Sequence, residues 1–344
     1  MRLADGTLAG RDASAHYREV TELTLSHVAL GGLTEAAAME LVANAHCHRL
    51  TAGTGHSIRG IVDEAGRVVY PGYYYTKLTV PPRRLLGLHR VWDRVAVEID
   101  VRRYGALLLA SRATLSADAP PDQSRDSADA DPVILLACNS FYVDHPGGEK
   151  EPVAPKPGTV AALAPLKDAP WGRDVQNVPR VFGDAQSRGS IDMAFEGNLS
   201  GENLHWVPRF GHDMPWGQHV AFSHYASICS SFERDYLQSI AAAAAFPTAA
   251  LQWSETLCRE TVYCATVAEE SPLVARARMR VSCASTRPLP PGRQLAAELE
   301  SVIDVRRHSD DTLVLSSKAT RVIAIPSQLT ELYETCRQWC TAVS

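Results

Sequence analysis

Residues 94–104, RVAVEIDVRRY, alternate apolar and polar side chains, and alternation of this kind recurs along the chain. It predicts strands at 60–63, 67–70, 73–80, 94–104, 106–116 and 133–143, all rich in Val, Ile, Leu or Tyr. Asp63-Glu64-Ala65-Gly66 supplies a hairpin turn between the first two. Ahead of them the period is that of a helix. Thr34 is placed to cap TEAAAMELVANAHCHRL, so 34–50 reads as a helix, preceded by a strand-like run at 23–30 that Gly31-Gly32 breaks. The first 20 or so residues read as a loose arm.

The second half repeats the plan. A loop at 210–217 leads into a long helix over 219–245, which Pro247 ends. Strands follow at 254–267, 273–284, 295–307 and 312–325, and a helix closes the chain at 327–343. Between the halves, 144–190 has many Pro, Gly and Lys and no period, so it can cover a site or join two units. Residues 117–131 are a polar, Pro- and Asp-rich loop. The organisation expected is an arm at 1–20, a first unit at 21–200 with the irregular segment near 144–190, and a second unit at 201–344 with its C-terminal helix. The class is α+β, with two helix-plus-antiparallel-sheet halves in one chain.

The 344 residues are enough for two such units, and a hydrophobic fraction of 45% is ordinary for a folded chain. A net charge of −5 with no Lys/Arg block argues against a nucleic-acid partner. No apolar run approaches the ~20 residues of a membrane span, and the N-terminus lacks the apolar core of a signal peptide. A cytoplasmic chain, monomeric or homodimeric, is the expectation. The eight cysteines are scattered with no CxxC, which reads as free buried thiols. Ala45-His46-Cys47-His48 suggests zinc, but neighbouring residues of a helix point about 100° apart and no second cluster completes four ligands. No metal is expected.

VYPGYYYTK, residues 69–77, holds four of the chain's 11 tyrosines. Strand packing explains such a run, since a tyrosine ring is apolar and its hydroxyl wet. The other reading is that one phenol is a nucleophile. A free phenol is only about one part in a thousand ionised at pH 7, so it needs a base, a cation or hydrogen bonds to the phenolate. Lys77, His27 and His219 can supply that help. Tyr70, at a strand end beside Pro71-Gly72, is the first candidate, Tyr73 the second and Tyr75 the third. Strict alternation puts Tyr73 and Tyr75 on one face and Tyr74 on the other. Asp213 either caps the following helix or acts in catalysis, and Trp216 either covers an acyl slot or packs. Glu233 and Arg234 fit an ordinary pair on a helix surface. Arg83 and Arg84 either meet CoA phosphates or lie in a solvated loop.

Two stretches carry a resemblance. His212-Asp213-Met214-Pro215-Trp216-Gly217-Gln218-His219, followed by Tyr225 and Glu233-Arg234, is similar to the acyl-thioester hot-dog pattern, in which a loop and a helix N-terminus meet the thioester carbonyl. The sequence departs from it at Val220 and Ala221, where that family has an asparagine pair. Ser26-His27-Val28-Ala29-Leu30-Gly31-Gly32-Leu33-Thr34-Glu35, with DEAGRVVY, SFERDYL and SSKATRVI, resembles the double hot-dog proteins of polyketide pathways, typified by the bifunctional acyltransferase/decarboxylase of leinamycin biosynthesis. The resemblance implies a double hot-dog fold. It also implies transfer of a methylmalonyl-type acyl group from CoA to a tyrosine, decarboxylation, and delivery to an acyl carrier protein. CoA is then a substrate, and no cofactor is needed. In this setting Tyr70, Tyr73, His219 and Asp213 are the candidate catalytic residues. His27, Gly31, Gly32, Tyr75, Trp216 and Gly217 are the candidates for binding substrate. The alternative is a dehydratase or thioesterase on a carrier-bound chain, using His219 or His27 with Asp213 or Glu233 as acid and base. A third possibility is a carrier-protein or acyl-chain binding module without turnover.

Overall fold

The computed structural model describes residues 16–29, 32–54, 60–63, 65–104, 108–118, 132–143, 175–197, 199–207, 222–244, 247–265, 267, 271–283 and 287–343. The strands are β1 (His16–Glu22), β2 (Val28–Ala29), β3 (Gly32–Leu33), β4 (Val69–Thr79), β5 (Arg94–Tyr104), β6 (Leu108–Ala117), β7 (Val133–Val143), β8 (Leu199–Trp206), β9 (Ser254–Tyr263), β10 (Leu273–Ser282), β11 (Arg293–Arg307) and β12 (Leu313–Pro326). The helices are α1 (Glu35–Thr54), α2 (Val178–Arg188), α3 (Phe222–Ala244) and α4 (Thr330–Val343).

Ten strands form one antiparallel sheet in the order β1-β5-β6-β7-β4-β9-β12-β11-β10-β8. The order is the same read inward from either edge. In each half an early strand lies at the rim, a meander follows, and the remaining strand, β4 or β9, reaches the centre. The halves join where β4 pairs with β9, Tyr75–Thr79 against Cys258–Val262. The small β2–β3 pair stands apart from this sheet.

Each half has its own helix. Thr34 Oγ1 accepts the Ala37 N–H at 3.1 Å, so it caps α1 as its sequence position predicts. Ala37, Ala38, Leu41, Val42 and Ala45 form the buried face of α1 and meet Val97, Ile99 and Leu109 of β5 and β6. α3 buries Tyr225, Ile228, Cys229, Phe232 and Tyr236 against β10–β12. The two helices touch, and the cores interlock: Ala226 of α3 lies in the first core, while Tyr73 of β4 packs on the second. α2 covers the opposite face of the joint, with Val178, Val181 and Phe182 on Tyr74 and Tyr75.

The structure departs from the sequence reading at several elements. Residues 16–20, assigned to the arm, belong to β1 (His16–Glu22), which pairs with β5 and packs Tyr17 on the first core. The strands expected at 67–70 and 73–80 merge into one, β4 (Val69–Thr79), which runs through Pro71-Gly72, and the 60–70 hairpin is reduced to a Val62–Val68 bridge. α2 and β8 arise where no period was visible. Finally, Cys283 and Cys340 are joined in a disulfide with Cα atoms 5.9 Å apart, tying α4 to the end of β10. The other six thiols are free.

Candidate functional site

The joint between the halves carries the densest buried chemistry among the described residues. Arg259 of β9 lies at its centre. Its Nε donates to Glu35 Oε1 at 2.6 Å, and its Nη2 donates to Glu233 Oε2 at 2.8 Å. Glu35 opens α1 and Glu233 belongs to α3, so one guanidinium binds a carboxylate from each half. Arg321 of β12 adds a second cation to Glu233 at 2.8 Å, Ser301 donates to it at 2.7 Å, and Thr256 donates to Glu35 at 2.9 Å. Two positive and two negative charges therefore close on themselves, with Arg259, Glu35 and Glu233 all buried. Burial pushes the Glu233 carboxyl up, but Arg259, Arg321 and the Ser301 hydroxyl outweigh it and hold the group at about 2. A carboxylate so committed cannot take a proton from water at neutral pH. That removes Glu233 from the acid/base candidates, and the surface pair with Arg234 does not form; Arg234 is exposed and donates to Ser231.

The same face continues toward the first turn of α3. Tyr225 packs against Tyr263 of β9 with the rings tilted by 55° and their centroids 5.5 Å apart, and the Tyr263 hydroxyl is 3.0 Å from Thr76 Oγ1 on β4. Beside them, Tyr73 meets His46 of α1 at 5.8 Å. His46 is fully buried and held at about 4 by desolvation, reinforced by Arg49, so it is a neutral imidazole at physiological pH. The candidates Asp213, Trp216, Gly217 and His219 lie outside the described residues, as does Gly31.

The tyrosine run is bent by a bulge. Tyr73 pairs with Asn139 and Tyr75 with Cys138, so Tyr74 is the extra residue. The bulge overturns the expected alternation. Tyr73 faces the helices, whereas Tyr74 and Tyr75 face α2, with Tyr74 edge-on to Phe182 at 5.4 Å. The Tyr73 phenol is pushed well up by burial, with Cys47 and Tyr263 adding to it. Burial also raises Tyr75, and the Glu260 carboxylate, to which it donates at 2.8 Å, raises it further. Neither phenol is activated. The backbone of Tyr70 pairs with Tyr142; its side chain is outside the described set.

His27 is half-buried in the turn before β2, where its Nδ1 accepts the Thr24 N–H at 3.0 Å. Gly32 has φ of +109°, and a Cβ there would come within 2.5 Å of the Gly87 and His89 carbonyl oxygens. Its role is close packing on the 86–90 turn. The three side chains of the His-Cys-His run diverge: His46 is buried, Cys47 is half-buried with its thiol pushed up by desolvation, and His48 meets Glu19 at 2.8 Å. No group of three or more metal-ligating side chains converges among the described residues.

Sequence reasoning missed Arg259, Arg321, Glu35 and Glu255. Glu255 of β9 accepts the Gly87 N–H at 3.1 Å, and burial lifts it to about 7 against the pull of that N–H and of Arg321, Arg293 and Arg90. The available signal was charge in strands whose apolar neighbours mark them as central; a buried charge there needs a partner.

No protein-family model and no curated protein matches the sequence. Solved structures do match the fold. An acyl-ACP thioesterase from Bacteroides thetaiotaomicron VPI-5482 aligns over 89% of this chain and 98% of its own, with TM-score 0.53 and 11% identity. A 12:0-ACP thioesterase from Umbellularia californica aligns over 92% of this chain and 99% of its own, with TM-score 0.51 and 13% identity. A protein described as an oleoyl thioesterase from Lactobacillus plantarum aligns over 89% and 95%, with TM-score 0.56 and 14% identity. At such identities the likeness establishes the fold. The chain is an α+β double hot dog, as its repeated helix-and-meander pattern predicts. No helix is long and apolar enough to cross a membrane among the described residues.

Proposed function

We propose that the chain hydrolyses an acyl thioester presented on a carrier protein or on CoA. The observation that carries this reading is the fold likeness, which spans nearly the whole length of both this chain and two acyl-ACP thioesterases. The site in this reading lies at the joint, where α3 begins. His219 acts as general base on water and Asp213 orients it. His219 and Asp213 are taken as the pair because they belong to the sequence motif; His27 Nδ1 is engaged by the Thr24 N–H and Glu233 by its ion pairs, which supports that choice. Backbone N–H groups at the start of α3 polarise the carbonyl. The water oxygen bonds to the acyl carbon, the C–S bond breaks, and the thiolate leaves with the proton that His219 took from water.

The acyl-O-tyrosine route is the competing chemistry. Tyr73 and Tyr75 speak against it, since burial makes both phenolates scarcer than in water. Tyr70 is the remaining candidate. One experiment separates the two. Thiol release from acyl-CoA and acyl-carrier substrates is followed for the wild type, His219→Ala and Tyr70→Phe, with intact-mass analysis of the protein. Hydrolysis predicts loss of roughly 100-fold or more in His219→Ala and near-normal rates in Tyr70→Phe. An acyl adduct on the 67–77 peptide, with CO2 released from methylmalonyl-CoA and both lost in Tyr70→Phe, would replace it with the acyltransferase/decarboxylase reading.

A further inference from the structure

Most of the large apolar side chains of the first half are buried, but three beside the start of α1 are not. Leu25 is 79% exposed, Trp92 70% and Leu88 38%. They share one patch of backbone. Trp92 N–H donates to the Leu23 carbonyl at 2.8 Å, and Leu23 N–H returns a bond to the Asp93 carbonyl at 2.8 Å. Gly32, just before α1, presses on Gly87 and His89, the neighbours of Leu88.

Trp92 is also strained. Its φ of +73° is a left-handed value, and Asp311 is the other non-glycine with a positive φ among the described residues. Asp tolerates that region because its short side chain bonds locally; a bulky aromatic does not. The turn is pinned by Arg90 N–H to Asp93 Oδ2 at 2.6 Å and Asp93 N–H to the Arg90 carbonyl at 3.1 Å. A glycine would satisfy it without strain. The fold thus holds an indole out in water at a position where burial returns nothing, a combination that points to a binding contact.

The surroundings are basic in a chain of net charge −5. Residues 81–94 contain four arginines against one aspartate; Glu22 adds one acid on the facing segment, and Arg94 is paired with Asp118 at 3.1 Å, so the basic character rests on Arg83, Arg84 and Arg90. Arg83 and Arg90 are exposed and Arg84 is half-exposed. The patch borders the joint as well, since the 86–88 turn touches β3 and β9, and Gly87 binds Glu255 of β9.

We propose that Leu25, Leu88 and Trp92, with Arg83, Arg84 and Arg90 of the same 81–94 segment, form the docking face for an acidic carrier protein that presents the acyl thioester. This rests on the thioester reading above and gives it a partner. Aromatic and apolar anchors together with arginines fit a folded acidic surface. A second copy fits less well, because a two-fold contact would set arginines against arginines. A lipid surface is served by an amphipathic helix, and this patch is built from turns.

The test uses the full chain, its Trp92→Gly and Leu25→Ser variants, and one acyl group offered both on a purified acyl carrier protein and on CoA. Glycine suits the turn, so Trp92→Gly keeps the fold. We expect kcat/KM for the carrier-bound thioester to fall roughly tenfold or more, through KM, while the CoA thioester changes less than about twofold. Carrier binding measured by calorimetry should weaken in parallel and should also weaken as salt rises. Equal loss on both substrates, or unaltered carrier binding in both variants, overturns the docking face. If the wild type turns over neither substrate, the thioester reading fails, and the calorimetry alone then upholds or overturns the carrier site. Trp92-dependent binding to phosphatidylcholine–phosphatidylserine vesicles, or a Trp92-dependent dimer in sedimentation, without carrier binding, would assign the patch elsewhere and overturn the proposal.

Discussion

Glu233 and Glu255 are two glutamates of the joint whose environments act in opposite directions. Two guanidiniums and a hydroxyl stabilise the charge on Glu233, which falls from an ordinary 4.5 to about 2. Its contribution is therefore present above pH 4.5 and is lost as pH falls through 2, with a magnitude of roughly 3 kcal/mol. Glu233→Ala leaves Arg321 without its carboxylate and Arg259 with Glu35 alone, and should cost about 3–5 kcal/mol in urea unfolding at pH 7. Glu255 is raised to about 7, so its protonated form is the one the fold prefers. Stability from this group is full below pH 4.5 and declines as pH rises through 7. Glu255→Gln keeps an acceptor for the Gly87 N–H and never ionises. The variant should match the wild type near pH 5 and exceed it by about 2 kcal/mol at pH 8, read from paired urea titrations. A gain of equal size at both pH values would show that ionisation is not the cause. Neither residue could be judged from its neighbours in sequence. Arg259 lies 26 residues beyond Glu233, and Arg321 lies 88 beyond it. A helix period places Glu233 on a face without saying whether another strand will cover that face.

Elements whose cause is local were legible, and those whose cause is distant were not. Thr34 caps α1 from the adjacent residues, and β5 and β7 fall where their alternation places them, because both signals act within one segment. The bulge at Tyr74 is set by the register with β7, so alternation carried past it put Tyr75 on the wrong face. The disulfide joins cysteines 57 residues apart, and only the docking of α4 on the sheet brings them together. Gly32 shows the same division. The sequence marked it as special, but the reason is the 86–90 turn, which delivers two carbonyl oxygens to the place a Cβ would fill. Gly32→Ala adds both that clash and an unfavourable φ. It should lower stability by several kcal/mol. The measurement is the thermal midpoint beside Gly66→Ala, whose Cβ meets nothing within 4 Å although its φ of +77° is also left-handed. If the two variants lose equal stability, strain alone explains the effect and the close approach does not matter.

At the scale of the whole molecule the contacts across the joint predict that the two halves unfold as one unit. Connections that cross the joint include the β4–β9 ladder, the Glu35–Arg259 pair, the contact of α1 with α3, the exchange of Ala226 and Tyr73 between cores, and α2 spanning β4 and β9 on the far side. Opening one half would expose the carboxylate or guanidinium left in the other and an unpaired edge on the central strand. Independent opening is thereby penalised at each of these connections. Native-state hydrogen exchange tests this directly. The slowest amides of β6, in the first half, and of β11, in the second, should report the same opening free energy to within about 1 kcal/mol and the same denaturant dependence. Arg259→Met, which removes the shared cation, should lower both values together. If β11 stays protected at urea concentrations where β6 already exchanges, each half holds its own fold and the joint is only a contact. If they move as one, separating the halves costs the full unfolding free energy, and substrate must reach the start of α3, where the thioester is proposed to bind, without such a separation.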